Sequence, residues 1–361
     1  MKIIIDNIIF SLQQAGGISL YWSELITRLL QKEKDVTFFE FKNENIFRKK
    51  LNIQTQKESS LNIKLVRYLP FLRKLPKKTI FHSSYYRVSL QKDVVNITTV
   101  HDFTYEYFRT GLAKYIHVWQ KGFAIKKSDG IICVSENTKK DLLKFYPKID
   151  ESKIKVIYSG VGDEFKKFEY PKIFLKDSFE VLIDKNYILY VGDRSHYKNF
   201  NIAIDVIKKI ESYSLVVVGG KEFDLFEKAN MKGVEHKVYH FRSIAGEKLN
   251  ILYNNAFCLL YPSSYEGFGV PIVEAVKAGC PVVSVKRSSI PEIAGEVALL
   301  VNEIKTECFI DEIKKLENVE FRNEIINKGL KHSEKYSWDR CFEETYQFYF
   351  DVWKKKFEGS K

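Results

Sequence analysis

Short apolar runs rich in β-branched residues alternate with longer amphipathic stretches along the whole chain. The first half contains the runs KIIIDNIIF, VTFFEF, VNITTVHDF and DGIICVS, and the second half contains YILYVGD, SLVVVGG, FCLLYPS and PVVSV. Alternating strand and helix patterns are typical of parallel sheets whose faces are covered by helices. The pattern therefore predicts an α/β fold with two Rossmann-like, doubly wound domains that face each other across a cleft.

A charged stretch without a clear period separates the two alternating halves, and we interpret it as a connection. An aromatic segment with helical spacing closes the chain, and we expect this helix to pack back on the first domain. The predicted parts are an N-terminal domain 1–165, a linker 166–184, a C-terminal domain 185–337 and a terminal helix 338–361.

The glycine pair Gly16-Gly17 lies between the first predicted strand and a helical pattern over residues 18–30. Glycine lets the backbone approach a ligand closely, and the start of a helix presents free N–H groups to an anion. No GxGxxG motif is present, so the fingerprint of dinucleotide-binding proteins is not met.

Length and composition are those of a globular protein. The 361 residues suit two domains, and 45% of them are hydrophobic. No run approaches the roughly 18 apolar residues of a membrane-spanning helix, and the N-terminus lacks the pattern of a signal peptide. The five cysteines are scattered without a CxxC pair, which is typical of the reducing cytoplasm, and we expect a cytoplasmic protein.

The positive charge of the chain is concentrated in one region. Of the net charge of +12, residues 42–92 contribute 13 Lys and Arg against 2 Glu. Within this region, residues 62–81 mix Leu, Ile, Val, Tyr and Phe with Lys and Arg, a composition suited to an anionic membrane surface. Pro70 and Pro76 interrupt any long helix there. A solvated basic segment packed on its own domain is the alternative, and the sequence leaves both open.

Two stretches carry candidate chemistry in the second half. In LYVGDRSHYKN, Arg194 and Lys198 follow a predicted strand, where two cations suit a diphosphate. In YPSSYEGFGVPIVEAVKAG, glycines bend the chain after a strand and expose the amides around Phe268, Gly269 and Val270. We expect the following helix to begin near Pro271 and to carry Glu274 in its first turn. An electrostatic cap at the helix start would explain Glu274 but not Glu266.

These stretches in this order resemble glycosyltransferase family 4, whose members are retaining enzymes with the GT-B fold. The motif from Glu266 to Glu274 in EGFGVPIVEA is the most specific, and GGISLY, VHDF, CVSENTKKDL and the closing YSW agree with it. The resemblance implies transfer of a hexose-type sugar, such as mannose, from a nucleotide-diphosphate sugar to a hydroxyl of a glycan acceptor. The N-terminal domain would face the acceptor, and the C-terminal domain would bind the nucleotide sugar.

The resemblance also implies a role for each matching residue. Arg194 departs from the usual family pattern because Asp193 stands between it and the glycine. Gly16 and Gly17 would contact the donor phosphates, and Arg194 and Lys198 would neutralise the diphosphate. Glu266, with the amides of Phe268, Gly269 and Val270, would contact the donor sugar. Glu274 would contact the ribose, and His101, beside Asp102, would approach the transferred sugar.

The chain contains no DxD triplet, so the metal-dependent scheme of glycosyl transfer has no obvious ligand set, and we expect neither a metal nor another cofactor. The basic region predicts an acceptor linked to polyprenyl diphosphate in surface-polysaccharide synthesis, such as O-antigen or capsule, with peripheral attachment to the inner face of the cytoplasmic membrane. Another GT-B reaction, such as that of a sugar-nucleotide epimerase or a phosphorylase, is the alternative. Nucleic-acid binding by residues 42–92 would leave the paired glutamates unexplained, so we expect no nucleic-acid partner.

Overall fold

The computed structural model describes residues 1–59 and 61–359, which form two compact units. Unit 1 consists of residues 1–160 together with the chain from Ser337 onward, and unit 2 consists of Val161–Tyr336. Each unit contains one parallel β-sheet with helices between its strands. The predicted pair of doubly wound α/β domains is confirmed.

Unit 1 is built on a parallel sheet whose strands are mostly buried. The strands are β1 (Ile3–Asp6), β2 (Val36–Phe39), β3 (Thr55–Gln56), β4 (Thr79–Ser83), β5 (Val94–Val100), β6 (Gly130–Cys133) and β7 (Ile154–Val156). Their order in the sheet is β3-β2-β1-β4-β5-β6-β7. The apolar runs of β1, β4 and β5 are buried along their whole length, as expected for strands covered on both faces.

The helices of unit 1 connect these strands. They are α1 (Ile9–Leu12), α2 (Gly17–Lys32), α3 (Ile63–Val66), α4 (Thr104–Phe108), α5 (Gly111–Lys127) and α6 (Glu136–Phe145), with short 3-10 turns at Arg48–Lys50 and Glu151–Lys153. The helix predicted after the glycine pair is α2. It buries Tyr21, Trp22 and Ile26 in the main core of the unit.

Unit 2 repeats the architecture with six strands. They are β8 (Tyr187–Val191), β9 (Ser214–Val218), β10 (Val238–Phe241), β11 (Cys258–Tyr261), β12 (Val282–Val285) and β13 (Ala298–Val301). The order β10-β9-β8-β11-β12-β13 places β8 beside β11, so the direction of winding reverses between these two strands. In doubly wound sheets, ligands bind beyond the carboxyl ends of the strands at such a reversal.

The helices of unit 2 are α7 (Pro171–Ser178), α8 (Phe200–Lys209), α9 (Leu225–Asn230), α10 (Gly246–Asn255), α11 (Val270–Lys277), α12 (Ile290–Ala294), α13 (Thr306–Lys315) and α14 (Val319–Ser333), with 3-10 turns at Glu180–Leu182, His196–Lys198 and Glu235–Lys237.

The stretch expected as a linker, 166–184, is an integral part of unit 2. It contains α7, and Leu175, Phe179 and Leu182 are buried. The side chain of Asn254 on α10 accepts a hydrogen bond of 2.6 Å from the backbone N–H of Phe168. The stretch 166–184 therefore contains a short helix with one apolar side, although most of its surface residues are charged. The expectation of an irregular connection is corrected.

The terminal helix α15 (Trp338–Phe357) belongs to unit 1 and packs against α2, β5 and β6. Its buried residues include Phe342, Tyr349 and Val352, and the Tyr349 hydroxyl lies 2.6 Å from Nδ1 of the buried His82. The chain thus returns from unit 2 to complete the core of unit 1.

In the ranges 1–59 and 61–359, no helix combines the length and apolar character needed to cross a membrane. All five cysteines are free thiols, and four of them are buried.

Candidate active site

The loops that follow β8 and β11 meet at the winding reversal of unit 2. The first loop carries Arg194 and Lys198, and the second carries Glu266. Because β8 and β11 are parallel neighbours, their carboxyl ends lie at the same edge of the sheet. The predicted cations and the predicted carboxylate therefore emerge from adjacent strands.

Lys198 and Glu266 form a close, largely buried ion pair. Nζ of Lys198 lies 2.6 Å from Oε1 of Glu266 and 3.4 Å from the Tyr261 hydroxyl, and only 13% and 12% of the two charged side chains are exposed. Burial alone would lower the pKa of Lys198, but the Glu266 carboxylate and the Tyr197 hydroxyl outweigh it and raise that pKa above its ordinary value. The site thus holds a permanent cation beside an oxygen acceptor.

Asn199 fixes the position of Lys198, and the sequence interpretation did not identify it. Its backbone is left-handed, with φ 51° and ψ 45°, at the start of α8. Its Nδ2 donates to Pro262 O at 2.8 Å and to Ser264 Oγ at 2.7 Å, so it ties the first loop to the second. The available signal is its residue type, since asparagine tolerates the left-handed conformation better than most residues.

Two serines hold the backbone of Glu266 and were also missed. The N–H of Glu266 donates to Ser288 Oγ at 2.8 Å, and Ser289 Oγ lies 2.9 Å from both Glu266 O and Phe268 O. Both serines come from the loop between β12 and α12. Nothing in the local sequence around Glu266 indicates these partners.

The turn after Glu266 depends on glycine. Gly269 has φ 103°, a conformation that side chains with a Cβ rarely adopt, and it caps the N-terminus of α11 without a side-chain hydrogen bond. Val270 is the first residue of α11, and Phe268 is buried against Tyr336 at 5.7 Å between ring centroids. The three residues predicted to offer amides therefore lie directly at a helix start, where N–H groups lack intrahelical partners.

Glu274 lies in the second turn of α11, so its predicted placement in the first turn is corrected. It is the fifth helical residue, and the first turn carries no acidic side chain. The Tyr253 hydroxyl donates a hydrogen bond of 3.0 Å to Oε2 of Glu274, which is 8% exposed. Burial raises the pKa of Glu274 to about 7, with Tyr253 lowering it and Glu164 raising it further. This carboxyl can therefore gain or lose a proton near neutral pH.

Arg194 has protein partners on the loop after β9 and on α9. Its Nε donates to Glu227 at 2.5 Å, while its terminal nitrogens donate to Gly219 O at 3.2 Å and Lys221 O at 2.7 Å. The guanidinium lies 4.7 Å from the Phe223 ring centroid, and 6% of the side chain is exposed. These contacts fasten the loop after β9 and the start of α9, so the structure joins Lys198, but not Arg194, to Glu266.

In unit 1, the glycine pair and His101 lie close to the same tyrosine. Gly16 caps α2 and Gly17 is its first residue, with open space where a Cβ of Gly17 would be. Tyr21, one helical turn further on, has its ring centroid 5.0 Å from that of His101.

His101 follows β5 and is held in its neutral form. Burial lowers its pKa to about 4, against a raising effect of the Asp102 carboxylate and with Lys121 lowering it further. Within the described residues, Nε2 of His101 is buried and has no hydrogen-bond partner. A neutral imidazole with an unused nitrogen can donate to or accept from a substrate hydroxyl.

No group of three or more His, Cys, Asp and Glu side chains in the described part of the chain is arranged to hold a metal ion.

Two family models match the chain, one for each half. The model described as Glycosyltransferase Family 4 matches residues 15–165, and the model described as Glycosyl transferases group 1 matches residues 171–332. The first match includes the glycine pair and His101, and the second includes Lys198, Glu266 and Glu274.

Two curated relatives match most of the chain. An uncharacterized glycosyltransferase of Methanocaldococcus jannaschii, MJ1607, is 30% identical over 257 residues, which are 66% of this chain and 63% of that protein. The O-antigen chain mannosyltransferase RfbU of Salmonella typhimurium is 26% identical over 277 residues, which are 75% of this chain and 73% of RfbU. The chain thus spans less than two thirds of the first relative and nearly three quarters of the second.

A solved structure shares the fold over nearly the full length. HepE of Anabaena in complex with UDP-glucose superposes with a TM-score of 0.75 at 14% identity, covering 97% of this chain and 100% of HepE. At this identity the likeness concerns the fold.

Proposed function

Because the chain belongs to glycosyltransferase family 4 and has the GT-B fold, we propose that it is a retaining hexosyltransferase. Its donor is a nucleotide-diphosphate sugar, and its acceptor is a hydroxyl of a lipid-linked glycan in surface-polysaccharide synthesis. The observation that carries the proposal is the Lys198–Glu266 pair at the winding reversal of unit 2.

The Lys198–Glu266 pair suits a sugar diphosphate because it offers opposite charges to the two parts of the donor. The Lys198 ammonium stabilises the diphosphate as it leaves, together with the backbone amides at the start of α11. Glu266 accepts hydrogen bonds from the hydroxyls of the donor sugar. These groups supply the positive charge of the site, so the proposed reaction uses no metal. Arg194 contributes by holding the neighbouring loop rather than by contacting phosphate.

Glu274 accepts hydrogen bonds from the ribose hydroxyls of the nucleotide in this proposal. A carboxylate is a stronger acceptor than a neutral carboxyl group. With a pKa of about 7, Glu274 ionises in the range where the nucleotide binds, so ribose binding and loss of its proton are coupled.

Unit 1 contributes His101 and the glycine pair. The neutral imidazole hydrogen-bonds a hydroxyl of the transferred sugar through Nε2, which has no protein partner among the described residues. The open space at Gly17 admits donor phosphate to the amides at the start of α2.

Mannose is the sugar that we propose, because RfbU is an O-antigen chain mannosyltransferase. The nucleotide base of the donor is left to the experiment below, because HepE was crystallised with UDP-glucose rather than with a mannose donor. The acceptor is proposed to be linked to polyprenyl diphosphate, which places the protein at the inner face of the cytoplasmic membrane. The basic region 42–92 supports this attachment, although Arg87 is buried in ion pairs with Asp6 and Glu58, and Arg48 and Lys49 are paired with Glu40 and Glu44.

The proposal is tested by a thermal-shift panel of UDP, GDP, ADP and dTDP, followed by assays of the matching sugar nucleotides with a glycan acceptor. One nucleoside diphosphate should raise Tm, and its mannose or hexose conjugate should be consumed by transfer with retention of the anomeric configuration. If none of the four nucleotides stabilises the protein, the proposed donor class is wrong. Consumption of donor without acceptor, giving an isomer, would identify an epimerase instead.

A further inference from the structure

Helix α5 turns an apolar face to the solvent. Leu112, Tyr115, Ile116 and Trp119 follow the spacing of one helix face, and 73% of Leu112, 70% of Tyr115 and 63% of Trp119 are exposed. The opposite face is buried in unit 1 and carries polar side chains, including Lys121. An ordinary surface helix has the reverse distribution, and exposed apolar patches of this kind mark interaction sites.

A second exposed apolar group lies directly beside α5. Residues 61–78 contain α3 and expose Leu65, Tyr68 and Leu72. The side chain of Gln120 on α5 donates a hydrogen bond to the backbone carbonyl of Arg67, the residue that ends α3. The two exposed groups are therefore neighbours on the surface of unit 1.

The charges of both segments have a single sign. Residues 61–78 contain 6 Lys and Arg, residues 107–127 contain 5, and neither segment contains Asp or Glu. Lys121 is buried and paired with Glu106. Among the residues that the structure describes, the other ten cations form no ion pair within 4.0 Å; they are Lys64, Arg67, Arg73, Lys74, Lys77, Lys78, Arg109, Lys114, Lys126 and Lys127.

We propose that the exposed side chains of residues 61–78 and 107–127 form one docking face for the surface of an anionic phospholipid bilayer. Tyr115 and Trp119 enter the headgroup region, Leu112 reaches the acyl boundary, and the surrounding cations contact lipid phosphates. A second copy of the chain is a poor occupant, because it would bring the same cations face to face. The inference deepens the lipid-linked acceptor proposed above and rests on that proposal.

The docking face extends the membrane interpretation of the sequence to a helix outside residues 42–92. Helix α5 begins 11 residues after the carboxyl end of β5, the strand that leads to His101. An acceptor held in the bilayer would therefore enter unit 1 from the edge of the sheet that carries His101.

The test uses the full chain and vesicles of phosphatidylcholine with or without phosphatidylglycerol. The wild type should sediment with the anionic vesicles and be released by salt. The double substitution Leu112→Glu and Trp119→Glu should weaken vesicle binding about tenfold or more, because it removes inserted apolar area. The matched control is Leu225→Glu with Phe226→Glu on α9 of unit 2, where 86% and 88% of the side chains are exposed. It adds the same charge and should bind vesicles like the wild type.

Trp119 also reports its own insertion. Trp22 and Trp338 are buried and Trp353 is half-buried, so a blue shift and quenching by brominated lipid should come from Trp119 and disappear in Trp119→Phe. Equal weakening in both double variants would overturn the proposal, because it would show an effect of net charge alone. The proposal would also be overturned if the wild type formed a dimer, the α5 variant were a monomer, and neither of these two proteins bound vesicles.

Nucleotide-induced thermal shifts on the same preparations separate this inference from the proposed function. A nucleotide shift without vesicle binding by the wild type overturns the docking face alone. Vesicle binding that depends on α5 without any nucleotide shift supports the docking face and overturns the proposed transferase.

Discussion

The Tyr253 hydroxyl on α10 donates a hydrogen bond of 3.0 Å to the Glu274 carboxylate on α11. This contact lowers the pKa of Glu274, while burial raises it more strongly, to about 7. The protonation of one buried carboxyl therefore links the stability of unit 2 to the binding of the nucleotide proposed for it.

The affinity for the nucleoside diphosphate should rise with pH across neutrality. Below pH 7 Glu274 is mainly protonated, and above pH 7 the ionised carboxylate accepts ribose hydrogen bonds more strongly. Isothermal titration at pH 6 and pH 8, with the nucleotide's own ionisation corrected, checks this. Glu274→Gln should bind weakly at both values; an unchanged pH dependence in this variant would assign the effect to another group.

The free energy of unfolding should carry the opposite dependence on pH. The folded pKa of Glu274 exceeds that of an exposed glutamate, so the protonated folded state is favoured, and this contribution is lost as pH rises from 4.5 through 7. The free energy of unfolding of Glu274→Gln, measured relative to that of the wild type, should therefore rise by about 3 kcal/mol between pH 4.5 and pH 8. Urea unfolding at several pH values measures the difference. Tyr253→Phe should shift the wild-type midpoint to higher pH, because it removes a hydrogen bond to the ionised form.

Lys198 and Glu266 should separate binding from turnover. Lys198→Ala removes the diphosphate cation, so the nucleotide-induced thermal shift should vanish and transfer should fall about a hundredfold or more. Glu266→Gln keeps the shape of the side chain and should lower kcat while the thermal shift persists. Equal loss of nucleotide binding in both variants would contradict the division of roles.

Arg194→Met should destabilise the protein without abolishing nucleotide binding. The substitution removes the donor to Glu227 Oε1 and to the Lys221 carbonyl, while Gly219 O keeps His240 Nε2 and Glu227 Oε2 keeps the Asp224 N–H. Loss of one partner of such a buried pair costs about 3 kcal/mol, seen as a lower Tm. The double variant Arg194→Met, Glu227→Met should recover part of the loss. A normal Tm combined with loss of the nucleotide shift would restore Arg194 to the phosphate site.

The sequence predicts the fold and the two loops that carry Lys198 and Glu266 because those features are local. Strand runs, the glycine pair and the loops that carry Lys198 and Glu266 each occupy a few consecutive residues. Carboxyl ends of neighbouring parallel strands meet at one edge, so the pairing of Lys198 with Glu266 follows once β8 and β11 are adjacent.

The partners of these residues depend on contacts that are distant along the chain. Arg194 meets Glu227 across 33 residues, and Ser288 meets Glu266 across 22. Such pairs arise from strand order and loop packing, and short sequence motifs carry no information about either. The prediction of a linker over 166–184 failed for a related reason. The charged residues of this stretch face solvent, while Leu175 and Phe179 are buried against the rest of unit 2.

Asn199 should prove to be a positioning residue for Lys198. Asn199→Gly keeps the left-handed backbone but removes the donors to Pro262 and Ser264, whereas Asn199→Ala also strains the backbone. Both variants should lower kcat, because each frees the loop that holds Lys198 against Glu266. Asn199→Ala should in addition lose about 1–2 kcal/mol of stability relative to Asn199→Gly. Tm and steady-state kinetics separate the two effects. Full turnover in Asn199→Gly would show that the link between the loops is not needed. Equal stability of the two variants would show that the left-handed conformation carries no cost.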